Sequence, residues 1–98
     1  MKLDVCVRRE HLARAAPNLL ERDPVALAVK EAAWDNCVAV QNHGPFITLE
    51  MLEGLDYVAY FADVPAEVQT FVLAFDLAGQ TVAALPDFTL EFTRMGGE

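Results

Sequence analysis

The sequence predicts an α+β two-layer sandwich: a mainly antiparallel sheet of four to five strands with two helices on one face. Three observations carry that expectation. The segments at residues 2–8 and 88–93 alternate apolar and polar side chains, the period of a strand with one buried face. Two others, opened by Pro24 and Pro65, place apolar residues at helical spacing. Between them lie the turn signatures Asn42-His43-Gly44-Pro45 and Glu53-Gly54, short enough to force neighbouring strands antiparallel. The chain of 98 residues makes one domain, 1–98, with 95–98 expected as a frayed tail. At 54% hydrophobic it has the material for the dense core that so short a chain needs.

Each element has its own reason. Leu3, Val5 and Val7 point one way in the first strand, while Lys2, Asp4 and Arg8 point the other. One helical turn fits Glu10 to Ala16, ended by Pro17-Asn18. Asp23 then caps a helix whose first position suits Pro24, since the missing N–H has no partner there. Val25, Ala28, Val29 and Ala32 form its buried stripe. Cys37 to Gln41 and Phe46 to Leu49 make a hairpin, and Asp56 to Ala62 reads as an aromatic strand. If Tyr57, Ala59 and Phe61 face the core, Val58, Tyr60 and Ala62 form an outward apolar row. Such a row is either buried under another segment or a dimer interface.

Pro65 starts the second helix, with Glu67 where the helix dipole favours a negative charge. Val68, Phe71, Val72 and Phe75 are its buried stripe, and Gly79 ends it. Phe88, Leu90 and Phe92 alternate with Thr89, Glu91 and Thr93 in the last strand. The order of elements also accommodates a ferredoxin-like βαββαβ variant.

Charge divides the chain. From Glu31 to Thr93 there is no lysine or arginine, and residues 50–98 carry the whole net charge of −8. A surface built from that half repels phosphates and attracts lysine- and arginine-rich partners. It therefore excludes direct nucleic-acid binding through the acidic half. Glu50, Glu53, Asp56, Asp63 and Glu67 are the candidate partner-binding residues, although solubility alone also accounts for such charges.

Catalytic chemistry finds little support. Serine is absent from the chain, neither cysteine sits in a nucleophile motif, and the glycines form no phosphate loop. Cys6, His11, Cys37 and His43 lack the close ligand pairs of a zinc site. No enzyme activity, metal or cofactor is expected. The cysteines read as free thiols. No signal peptide is evident, and the apolar region from Tyr57 to Ala78 is interrupted by Asp63, Pro65, Glu67 and Asp76. A cytoplasmic location without membrane contact is the expectation.

His11-Leu12, Pro24-Val25-Ala26-Leu27-Ala28, Pro65 with Glu67-Val68, Phe71-Val72, Phe75-Asp76 and Phe88-Thr89-Leu90-Glu91-Phe92 together form a pattern. In it the chain resembles small phage- and prophage-encoded proteins of uncharacterised function. Asp23 and Val64 stand where that pattern has cysteine and leucine. The resemblance implies a phage-type origin, with the host cytoplasm as the location; by analogy, a small acidic protein of this kind binds and inhibits a basic host or defence protein in an anti-defence or anti-CRISPR-like role.

The leading expectation is thus a non-enzymatic protein-binding inhibitor, as a monomer or a homodimer. One alternative is an oligomer that sequesters a nucleotide, with Tyr57, Tyr60 and Trp34 lining a pocket between protomers and Arg8 or Arg9 at its rim. The other is a structural, virion-associated protein.

Overall fold

The structure, a computed structural model, describes residues 1–33 and 36–95. Its elements are β1 (Lys2–Val5), α1 (Arg9–Arg14), α2 (Pro24–Ala32), β2 (Cys37–Asn42), β3 (Phe46–Glu53) and β4 (Asp56–Asp63). They are followed by α3 (Ala66–Ala78), a 3₁₀ turn (Gly79–Thr81), β5 (Phe88–Glu91) and β6 (Thr93–Arg94). The fold is α+β with antiparallel sheet throughout, as the alternating segments and short turns predict.

The strands form two ladders, β1-β5 and β2-β3-β4-β6. Only Phe92 separates β5 from β6, so one chain segment serves both. The Phe92 amide donates to the Met1 carbonyl at 2.7 Å, and that of Met95 to Ala59 at 2.9 Å. Met95 is therefore tied to the sheet rather than frayed; residues 96–98 lie outside the described residues. In a ferredoxin-like order β1 would lie between two strands. Here its ladder is with β5.

Local chemistry sets the element ends. Asp23 Oδ1 accepts from the Ala26 amide at 2.8 Å, capping α2 just ahead of Pro24. Gly79 closes α3 at φ +63°, and Gly54 turns the β3–β4 hairpin at φ +64°, both in the left-handed region. Asn42 Oδ1 accepts from the Gly44 amide at 3.0 Å, fixing the β2–β3 turn.

The core lies between sheet and helices. Leu3 pairs across from Leu90 and Val5 from Phe88, as the alternation predicts. Val25 and Val29 of α2, with Val68, Phe71 and Phe75 of α3, close over Ile47, Leu49 and Ala62 of the sheet. The facing of the aromatic strand, open in the sequence, is decided by the structure. In β4 it is Val58 and Ala62 that are buried, with Tyr60 packed against the core, while Tyr57 and Phe61 are exposed. The cause is register: Val58, Tyr60 and Ala62 stand opposite Met51, Leu49 and Ile47, the inward row of β3.

Candidate functional site

The other side of the β2-β3-β4 sheet carries an uncovered apolar surface. Phe46, Leu52, Tyr57 and Phe61 are exposed there, with Val38 on the edge strand. Strand geometry explains why they share a face. Phe46 lies opposite Asp63, Thr48 opposite Phe61, Glu50 opposite Ala59 and Leu52 opposite Tyr57. All are on the row that alternates with buried Ile47 and Leu49. Tyr57 is 65% exposed, far more than a sheet aromatic needs to be. His43 extends the face by stacking on Phe46, with ring centroids 4.7 Å apart, and its Nε2 lies 3.1 Å from Thr48 Oγ1.

Glu50 occupies the middle. Its neighbours across the two flanking strands are Ala39 and Ala59. On the β2 side, where Ala39 is the neighbour, a basin of about 160 Å³ opens, lined by Ala39, Gln41, Thr48, Leu49 and Glu50. A long cationic side chain from outside could reach the carboxylate there, between aromatic residues at either end. The charges on this face are Glu50 and Asp63, and no lysine or arginine of β2, β3 or β4 accompanies them, because those strands contain none.

The five acids singled out from sequence do not form a single patch. Glu53 and Asp56 pair at the turn end of the β3–β4 hairpin, and Asp63 is at the other end. That separation is about 23 Å at about 3.3 Å per residue. Glu67 is in the first turn of α3, next to the Asp63 end. Glu53 is already engaged: Arg94 Nη1 lies 3.9 Å away, and the Tyr60 hydroxyl donates to it. This hydrogen bond from the phenol raises the Tyr60 pKa, since ionisation would place two negative charges together. Among the described residues no ion pair reaches Glu50, Asp56, Asp63 or Glu67.

The residues expected to line a nucleotide pocket between protomers are placed as follows within one chain. Tyr57 faces outward and Tyr60 inward on β4, so they occupy opposite sides of the sheet. Trp34 lies outside the described residues. Arg8 is held by Glu10 at 2.8 Å and by Glu31, so its guanidinium is already neutralised. Arg9 borders a recess of about 50 Å³ with Val7, Leu12 and Phe71.

Both histidines have structural partners. His11 is fully buried; its Nδ1 accepts from the Arg8 amide at 2.9 Å, and its Nε2 faces Glu31 at 3.3 Å. Burial pushes the Glu31 pKa up, but the Arg8 hydrogen bond and charge, with His11, outweigh it and hold the carboxyl low. Cys6 and Cys37 are free thiols.

A second concave site escaped the sequence reading. A cleft of about 430 Å³ opens between the 18–23 loop, the β2–β3 turn and α3. It holds Asp23, Asn42, His43, Gln69 and Asp76 against apolar walls that include Leu20 and Leu73. Its residues come from three distant segments, so the one local signal was Asp23 itself, read only as a helix cap. No family model, curated relative or solved structure matches this chain.

Proposed function

We propose that the protein is a non-enzymatic binding module whose open sheet face docks a protein partner presenting apolar side chains around a lysine or arginine. The observation that carries this reading is Glu50, a carboxylate without an ion-pair partner among the described residues, beside a basin lined by Ala39, Gln41 and Thr48 on the same face as exposed Phe46, Leu52, Tyr57 and Phe61. Buried aromatic anchors around a central charged contact are the composition of an interface hot spot. A second copy of this chain is a poorer occupant. Pairing two such faces would bring Glu50 and Asp63 of both copies together without a cation from the strands that form them. By analogy with small phage-encoded proteins, the partner class we propose is a basic host or defence protein, with inhibition as the outcome.

The test uses a peptide of alternating arginine and leucine, with a glutamate-leucine peptide as control, titrated into the isotope-labelled protein. Amide shifts should map to Thr48–Leu52 and Tyr57–Phe61 for the basic peptide alone, weaken with salt, and vanish in Glu50→Lys. Shifts confined to the helical side, or binding unaffected by Glu50→Lys, would overturn the reading.

A further inference from the structure

The cleft behind the β2–β3 turn meets the sheet face at His43, which borders both, and has the chemistry of a small-molecule site. Its volume of about 430 Å³ falls in the range that holds an organic ligand. At the floor, Asp23 is 4% exposed, and one carboxylate oxygen caps α2 through Ala26. Asn42, equally buried, directs its side chain to the same place. Its Oδ1 accepts from the Gly44 amide, which fixes which end of the amide is the oxygen. The remaining end, Nδ2, has no hydrogen-bond partner among the described residues although it is sealed from solvent. The Asn42 side chain favours the ionised form of the Asp23 carboxyl, which lines the same cleft.

The walls complete the pattern. Asp76 holds the loop by accepting from the Asn18 amide at 3.0 Å, and Asn18 turns that loop at φ +63°. Leu19 and Leu20 form one lip and Val72 and Leu73 the opposite one. No lysine or arginine is among the residues that line the cleft, and His43 is the one basic side chain beside its two carboxylates. An unpartnered buried donor costs about 1–3 kcal/mol, and a buried carboxylate costs more unless a cation meets it.

We infer that this cleft binds an organic ammonium group with a carbonyl oxygen beside it and an apolar side chain, the chemistry shared by apolar amino-acid amides and peptide N-termini. The ammonium lies against Asp23 and Asp76, the carbonyl accepts from Asn42 Nδ2, and the side chain fills the space between the leucine lips. A free amino acid fits less well, because its own carboxylate would join two others. The net charge of −8 draws cations toward the protein in general, while the cleft selects this geometry.

Leucinamide is the probe, followed by calorimetry and by amide shifts of the labelled protein. N-acetyl-leucinamide lacks the ammonium, isoamylamine lacks the carbonyl, and leucyl-glycyl-glycine extends the chain as a peptide would. Leucinamide should shift Asn18–Asp23, Asn42–Gly44 and Gln69–Asp76 and raise the melting temperature. The acetylated form should not bind, and isoamylamine should bind about ten-fold more weakly, the loss expected for one hydrogen bond to a buried donor. Tighter binding of the tripeptide would assign the site to polypeptide N-termini, and equal binding to single residues.

Asp76→Asn keeps an acceptor for Asn18 and removes the charge, and Asp23→Asn keeps the helix cap. Each should weaken leucinamide at least about ten-fold, as loss of a charge-assisted contact does, in protein whose circular dichroism is unchanged. Equal binding of leucinamide and its acetylated form, undiminished binding in both variants, or no saturable binding would overturn the proposal. None of these results bears on the sheet face, whose probe and variants are different.

Discussion

Replacing Asp23 with asparagine should stabilise the fold at neutral pH and flatten its response to pH in the acid range. Asp23 is 4% exposed, and burial pushes its pKa from 3.8 up to about 6, against the opposing pull of the Ala26 and Val25 amides. Because the folded chain holds this proton more tightly than the unfolded one, its contribution to stability is complete below pH 3.8. That contribution is lost as pH rises through about 6. At about 1.36 kcal/mol for each pH unit, the loss amounts to about 3 kcal/mol by neutral pH. Asparagine and serine cap helices about as well as aspartate and carry no charge to desolvate. Both Asp23→Asn and Asp23→Ser should therefore exceed the wild type by about 1–3 kcal/mol near neutral pH and match it near pH 3.5. Urea unfolding at several pH values measures this, and the other acids cancel in the comparison. Variants that are no more stable at neutral pH, or that keep the wild-type slope between pH 4 and 6, would show that the cap carboxylate is not strained by burial. A gain in stability with loss of leucinamide binding would mark Asp23 as kept for function at the expense of the fold.

Other perturbations separate the core, the turns and the open face. Phe75→Ala, at a site 1% exposed in the centre of α3, should cost about 3–5 kcal/mol in denaturant unfolding. Gly54→Ala meets no atom within 4 Å of the new Cβ, so only the φ of +64° resists it, and about 1 kcal/mol should be lost. Tyr57→Ala should change stability by less than about 1 kcal/mol, because the ring is on the open face, yet abolish most shifts caused by the arginine-leucine peptide. Sizing with light scattering should give a monomer at moderate concentration, since apposed copies of Glu50 and Asp63 repel one another.

The candidate sites were legible to different degrees. The capping aspartate before Pro24, the glycine stop after α3 and the Asn42–Pro45 turn are local devices and could be read directly. The facing of β4 could not, because Tyr57, Ala59 and Phe61 and the alternate row Val58, Tyr60 and Ala62 are both apolar. Period-two alternation decides a strand's orientation only when one row is polar. The acids were correctly seen as a surplus, but their spacing in sequence does not show that a hairpin carries them to opposite ends. Glu50 gained its importance from Ala39 and Ala59, brought beside it by pairing across two strands.

Composition and local pattern by themselves determined an α+β chain with antiparallel strands, capped helices and a negative second half. These follow from side-chain period, turn stereochemistry and the count of charges. Tertiary structure alone decided which row of β4 is covered, which acids lie unpaired, and that Asp23, Asn42 and Asp76 share one cleft. Those facts depend on contacts between segments far apart in the chain, where register and packing, not neighbouring residues, set what each side chain meets.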